Sequence, residues 1–145
     1  MKHIDIQFWT RADLMKKLAG KTMFWEEDCP FCIDLKTNER VLWKWEYWAI
    51  IYNKYPYTHW AKHLMLIPIR HARFSHEITH TEYGELQESY DFIKKFYNED
   101  SYFSFTRESF GERSVEHIHT HFISGHLKRK ILVDMLKDQG FDTRE

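Results

Sequence analysis

With 145 residues, the chain has the size of one ordinary domain, and its aromatic content of 17% is too high for a disordered segment. Its 21 Lys and Arg nearly balance its 22 Asp and Glu, and it carries no basic block, which argues against nucleic-acid binding through a cationic surface. No apolar run has the length of a signal peptide or a membrane span, so we expect one domain over residues 1–145 without membrane contact.

The first half of the chain predicts one short helix followed by three strands. Residues 10–20 carry the capping signals of a helix, and residues 28–32 are typical of a turn-like knuckle. Residues 40–52 predict two strands joined by a short turn. Turn residues and aromatics dominate 53–62, and the apolar run over 63–68 predicts the third strand.

The second half predicts a long helix, two strands and a final helix. A capping box at Thr79 and Glu82 opens a helix that extends to about residue 97. Its apolar stripe comprises Tyr83, Leu86, Tyr90, Ile93 and Tyr97. Residues 101–106 and 115–123 predict strands, and 127–139 predicts a helix. The residues of this last helix that we expect to face inward are Leu127, Ile131, Met135 and Leu136. This order of elements indicates an α+β domain with a mostly antiparallel sheet.

The chemical feature that stands out is a set of three histidines at alternate positions, His117, His119 and His121. On a strand they project from one face, about 6.6 Å apart for next-but-one residues. They can be solvent-facing residues of an edge strand or three ligands of one metal ion. Alternatively, the central imidazole attacks phosphorus while its neighbours donate hydrogen bonds to phosphate oxygens. The spacing alone does not choose among these.

The segment over 117–123 resembles the signature of the histidine-triad (HIT) superfamily, in which histidines alternate with apolar and variable residues. The block over 53–71 is similar to a second motif of that family, with an Asn after a strand, a histidine opening an apolar strand, a proline and a closing histidine. The resemblance covers about residues 24–126. It implies a HIT-like fold with about five antiparallel strands, a long helix between strands and a C-terminal helix. It also implies a homodimer that pairs through the helix and the sheet edge.

The same resemblance implies roles for the residues around the triad. His119 corresponds to the nucleophile, which forms a covalent nucleotidyl-histidine intermediate. His121 and His63 correspond to residues that bind the phosphate oxygens. Ser114 matches a family Ser or Thr that hydrogen-bonds the leaving group, and its structural alternative is a residue at the entry of the strand.

Five further residues are candidates for substrate binding, four of them by the same resemblance and Arg113 as a departure from the family pattern. Asn53 lies where a polar residue holds the ribose, Thr106 where an Asn or Gln contacts phosphate, and Phe24 and Ile51 near the base. Arg113 is placed to reach a polyphosphate or leaving group as a bidentate donor, or else it is solvated. The structural alternatives are a turn former for Asn53 and plain core for Phe24 and Ile51. The loop after Asn53 is about two residues longer than is usual in the family, which puts its ribose role in question.

The two cysteines, Cys29 and Cys32, form a CxxC pair that fits either a redox couple or a metal site. So few cysteines fit a reducing compartment, and we expect a cytoplasmic protein. The order of elements lacks the thioredoxin-like setting that a redox couple requires. Metal-bearing HIT domains add two histidines to such a pair, and the matching positions are His71 and His117. The resemblance therefore implies a structural Cys2His2 site for Zn²⁺, with a reduced, metal-free pair as the alternative.

These features predict a hydrolase of nucleotide phosphoryl bonds whose partner is a small nucleotide conjugate, such as a phosphoramidate or a dinucleoside polyphosphate. A nucleotidyltransferase or phosphorylase, in which another acceptor replaces water, is the first alternative. A nucleotide-binding HIT domain without turnover is the second. A metallohydrolase that uses all three triad histidines as ligands is the third.

Overall fold

The computed structural model describes residues 25–57, 62–110 and 113–143, so the predicted helix over 10–20 and Phe24 lie outside the described residues. Within these ranges, five strands form one antiparallel sheet in the order β1-β2-β3-β5-β4. The strands are β1 (Val41–Lys44), β2 (Trp48–Tyr52), β3 (His63–Pro68), β4 (Tyr102–Thr106) and β5 (Thr120–Ser124). The predicted α+β class with a five-stranded antiparallel sheet is confirmed.

The described helices are α1 (Pro30–Thr37), α2 (His80–Gly84), α3 (Leu86–Tyr97) and α4 (Arg129–Asp138), with a 3₁₀ turn at Ser75–Glu77. The sequence predicted a turn-like knuckle over residues 28–32, and this prediction is wrong for residues 30–32, which form the start of α1. Pro30 stands at the first helical position, where its fixed φ suits a helix and its missing N–H costs nothing. Asn38 ends the helix in the left-handed conformation, with a φ of 56°.

The predicted long helix is present but divided at Glu85 into α2 and α3. Thr79 and Glu82 form the predicted capping box at its start. The Glu85 carboxylate accepts hydrogen bonds from the backbone N–H groups of residues 46–48, at 2.8–3.0 Å. This contact fixes the hairpin between β1 and β2 against the two helices.

The sheet has a packed core on each face, because successive side chains of a strand point to opposite sides. On one face, strand residues pack with helix α3, and the buried members include Trp48, Ile50, Leu64, Leu66, Ile93, Tyr97 and Phe122. On the other face they pack with α1, and the buried members include Phe31, Leu35, Ala49, Ile51, Met65 and Ile67. The candidate site lies on this α1 face.

The C-terminal helix α4 differs from prediction in its burial. All of its residues are exposed or half-buried, and the side chains of Ile131 and Met135 are 54% and 46% exposed. The predicted helix began at residue 127, two residues before α4. The expectation that Leu127, Ile131, Met135 and Leu136 face inward is wrong for the first three, which are exposed, whereas Leu136 is half-buried. An amphipathic pattern identifies an apolar face, but it does not say what covers that face. None of the helices in the described ranges combines the length and apolar character that crossing a bilayer requires.

Candidate functional site

The alternation of the three histidines predicted that they lie on one strand, and this prediction is wrong. β5 begins at Thr120, so only His121 lies within it. The preceding segment is held away from the ladder by other bonds. The Ile118 N–H donates to the Ala72 carbonyl at 2.7 Å, and the His117 imidazole donates to the Pro68 carbonyl at 2.8 Å. His117 is consequently directed to the cysteines, whereas His119 and His121 line a pocket.

A cluster of Cys29, Cys32, His71 and His117 forms where α1, the end of β3 and the segment before β5 meet. The ligand atoms of these four residues all lie within 4.8 Å of one another. The Nδ1 atom of His117 is 3.5 Å from both Sγ atoms, and that of His71 is 3.3 Å from the Cys32 Sγ. Tetrahedral Zn²⁺ with ordinary bond lengths separates S and N ligands by about 3.5 Å. Both the donor set and the spacing therefore fit Zn²⁺.

Protonation within the cluster favours metal binding. Since the Nε2–H of His117 donates to the Pro68 carbonyl, its Nδ1 presents a lone pair to the thiols. The hydrogen bond from Cys32 lowers the pKa of the Cys29 thiol, although burial acts in the opposite direction. The pKa of Cys32 is raised by its hydrogen bond to Cys29 and by burial. The lowered pKa favours the Cys29 thiolate, which is the form of cysteine that binds a metal ion.

The orientation of His119 is set by the backbone of the same segment. Its Nδ1–H donates to the His117 carbonyl at 2.7 Å, which leaves the lone pair on Nε2. The ring contacts the Phe31 and His121 rings, with centroid distances of 5.0 and 4.8 Å. Burial lowers the pKa of His119 to about 3, so the imidazole is neutral at physiological pH. A neutral imidazole held in this way has the properties of a nucleophile.

His121 is joined to His63 across the neighbouring strands β5 and β3. The Nε2 atom of His63 and the Nδ1 atom of His121 are 2.8 Å apart, so one ring donates a hydrogen bond to the other. The Asn53 amide nitrogen lies 3.1–3.2 Å from the His63 ring nitrogens, and its carbonyl oxygen accepts from the Tyr55 N–H at 2.9 Å. These contacts fix the ring planes beside His119.

One pocket brings together four of the predicted residues, namely His119, His121, Ser114 and Asn53. Seven further residues line it: Pro30, Phe31, Arg40, Tyr55, Met65, Arg107 and Val115. None of these seven lining residues was predicted from the sequence. For Phe31 the sequence offered a signal, because this apolar residue lies between Cys29 and Cys32, which were predicted to meet His117, two positions before His119.

Two of the predicted substrate-binding residues, Thr106 and Ile51, are not among the described residues that line this pocket. The Thr106 hydroxyl shares a hydrogen bond with the Thr120 hydroxyl at 2.7 Å. Phe105, its neighbour, stacks on His121, so strand alternation directs Thr106 to the opposite face. Ile51 is wholly buried in the core on the α1 face, as its structural alternative expected.

Arg113 is also not among the described residues that line this pocket, and it forms a buried ion pair instead. Its guanidinium donates to the Glu116 carboxylate at 2.7 Å, and both side chains are completely buried. The guanidinium also lies 5.4 Å from the centre of the Phe74 ring. Neither of the two alternatives predicted for Arg113, a substrate contact or a solvated residue, matches this position.

Several solved structures share this fold. A HIT family hydrolase from Legionella pneumophila Philadelphia 1 is 20% identical, with a TM-score of 0.55, over 68% of this chain and 94% of that one. A histidine triad nucleotide-binding protein from Candida albicans is 16% identical, with a TM-score of 0.52, over 77% and 96%. A Zn-bound histidine triad family protein from Mycobacterium smegmatis is 16% identical, with a TM-score of 0.57, over 74% and 81%. No protein-family profile and no curated protein matches the sequence. At these identities the likeness concerns the fold.

Proposed function

We propose that this chain, which has the fold of the histidine-triad proteins, hydrolyses a nucleotide phosphoryl bond through a covalent intermediate on His119. One observation carries the proposal: the Nδ1–H of this buried imidazole is bound to a carbonyl, its Nε2 holds the lone pair, and it lies beside the hydrogen-bonded pair of His121 and His63. Two proteins of similar structure, a HIT family hydrolase and a histidine triad nucleotide-binding protein, support this substrate class.

The reaction has two steps on the proposed site. In the first, the Nε2 lone pair of His119 forms a bond to the α-phosphorus, and the bond to the leaving group breaks with its electron pair on that group. His121 and His63 hold the phosphate oxygens, Ser114 hydrogen-bonds the leaving group, and Asn53 contacts the ribose. In the second step water attacks phosphorus and the N–P electrons return to Nε2. The products are a nucleoside monophosphate and the leaving group, which gains the proton that water loses.

In this proposal the cluster of Cys29, Cys32, His71 and His117 holds a structural Zn²⁺. When bound, the ion supplies a cross-link between α1 and the segment that carries His119, since its four protein ligands complete a tetrahedral shell. The nucleophile in the chemical step is the imidazole. A reduced CxxC pair also accords with the cytoplasmic location that we propose.

The test is intact-protein mass spectrometry after brief mixing with adenosine 5′-phosphoramidate or with diadenosine triphosphate. We expect an adenylyl adduct on the wild type and none on His119→Ala. His126→Ala, which removes an exposed histidine outside the pocket, serves as the matched control and keeps the adduct. Release of AMP without added phosphate identifies water as the acceptor and separates a hydrolase from a phosphorylase. Wild-type protein that forms neither adduct nor AMP contradicts the proposal.

A further inference from the structure

Arg107 lies directly after β4, on the pocket side of the triad. β4 and β5 pair Phe105 with His121 and end on the pair of Thr106 and Thr120, which Arg107 and His119 adjoin. The Phe105 ring stacks on His121 with a centroid distance of 4.8 Å. Arg107 and His119 both line the pocket.

The Arg107 guanidinium is held in place by Tyr57. Its Nη2 donates to the Tyr57 hydroxyl at 3.1 Å. The Tyr57 ring stacks on Phe105 with an interplanar angle of 16° and lies 5.4 Å from the His121 ring. A guanidinium fixed by a hydrogen bond loses less conformational freedom when a ligand binds. This arrangement is suited to recognition of an anion beside the triad.

The sheet order places Arg107 on one side of the phosphorus position. Asn53 follows β2, the triad histidines lie in and before β5, and Arg107 follows β4, one strand spacing of about 4.8 Å beyond β5. If the ribose lies at Asn53 and the α-phosphorus at His119, as in the proposed function, the group beyond phosphorus reaches Arg107. That group is the leaving group.

The charge of the pocket agrees with this assignment. Among its described lining residues are two arginines, Arg40 and Arg107, and no Asp or Glu. The charge of Arg40 is offset by Asp34, whose carboxylate accepts from the Arg40 Nε at 2.8 Å. Arg107 is the second arginine of this lining, at the β4 side of the pocket, and a guanidinium matches the geometry of phosphate oxygens.

We propose that Arg107 binds an anionic, phosphate-bearing leaving group and makes the site selective for nucleotides linked through a phosphoanhydride. This inference rests on the proposed function. When the α-phosphorus forms its bond to His119, the P–O bond of the phosphoanhydride breaks and its electron pair stays on the leaving oxygen. The guanidinium stabilises the charge that develops there. An uncharged amine leaving group, as in a phosphoramidate, gains little from this residue.

The test compares wild type, Arg107→Gln and Arg107→Lys with two substrates, diadenosine triphosphate and adenosine 5′-phosphoramidate. We expect Arg107→Gln to lower kcat/KM for the triphosphate about 10- to 100-fold and to change that for the phosphoramidate less than about threefold. Arg107→Lys keeps the charge and gives an intermediate loss. Lys95→Gln removes one exposed charge on α3, against the other face of the sheet, and serves as the matched control.

A binding measurement separates this inference from the proposed function. We expect wild type to bind ADP more tightly than AMP, and Arg107→Gln to lose that preference while its affinity for AMP is unchanged. Equal losses on both substrates, or no loss, overturn the role of Arg107 and leave the hydrolase intact. If the wild type shows no turnover but still prefers ADP, and Arg107→Gln loses that preference, the hydrolase proposal alone is overturned. Absence of both overturns both.

Discussion

Two histidines that are two positions apart acquire opposite roles through the carbonyl groups that they contact. His117 donates its Nε2–H to Pro68 and presents Nδ1 to the cysteines, whereas His119 donates its Nδ1–H to His117 and keeps the lone pair on Nε2. The side-chain type is the same, but the accepting carbonyl selects the tautomer. A candidate metal ligand and a candidate nucleophile therefore follow from backbone geometry that the HxH spacing alone does not specify.

The sequence predicted which residue types meet at the site but not which way each arginine points. Arg113 and Arg107 are both near the triad in sequence, and only Arg107 lines the pocket. Arg113 is neutralised by Glu116, three positions along, in a segment whose conformation no periodicity revealed. Thr106 is one residue from Arg107, yet its hydroxyl bonds to Thr120, whereas Arg107 lines the pocket. The sequence alone did not show which arginine has a buried counter-ion or which side of the sheet each residue faces at the end of a strand.

The buried pair of Arg113 and Glu116 makes a prediction about stability. Glu116→Ala leaves the guanidinium buried without its counter-charge, and we expect the free energy of unfolding to fall by about 3–5 kcal/mol. The double variant Arg113→Met with Glu116→Met removes both charges, and we expect it to recover part of that loss. Chemical denaturation measures both values.

A surface pair provides the control for this experiment. Lys130 and Asp134 form an exposed i,i+4 ion pair at 2.6 Å, so Lys130→Ala should cost at most about 0.5 kcal/mol. If the double variant is no more stable than Glu116→Ala, the loss comes from packing and not from the uncompensated charge.

At the scale of elements, most strands and helices were predictable because their patterns are local. The hairpin of β1 and β2, strand β3 and the capping box of α2 carry their signals within a few residues. Helix α1 was missed because a CxxC motif suggested a knuckle, although Pro30 and Asn38 are helix-end signals. The start of β5 was placed too early because residues 115–119 alternate like a strand but bond to Pro68 and Ala72.

The cluster at the N-terminus of α1 leads to the second prediction. Because its four ligands come from three separate segments, bound Zn²⁺ cross-links them, and its removal exposes buried thiols. We expect one zinc per chain by elemental analysis of the wild type. His71→Ala or Cys32→Ser should lose the metal and lower Tm by more than about 10 °C.

His76 offers a matched control, since it is exposed and lies five residues from His71. His76→Ala should keep both the zinc content and Tm of the wild type. A wild-type chain that contains no zinc after growth in zinc-supplemented medium, or a His71→Ala variant that retains its zinc, contradicts the assignment.

At the scale of the whole molecule, the proposed homodimer accounts for apolar surface that the described chain leaves uncovered. Strand β4 lies at one edge of the described sheet, and an edge strand can pair with a strand of another chain. Tyr83 and Tyr90, which belong to the predicted apolar stripe, are 44% and 46% exposed. A second copy packed against this edge and these helices buries both features, as the resemblance implies.

Sedimentation velocity tests this arrangement directly. We expect the wild type to sediment with twice the mass of one chain, and Tyr90→Glu to shift it to the monomer, because a carboxylate cannot be buried there without a partner. Trp43→Glu is the matched control: this aromatic is 52% exposed on β1, at the opposite edge of the sheet, so its replacement should leave the dimer intact. Dissociation by Trp43→Glu and not by Tyr90→Glu would move the interface to the β1 edge. A monomeric wild type at micromolar concentration would reject the dimer altogether, and the exposed tyrosines would then be ordinary surface.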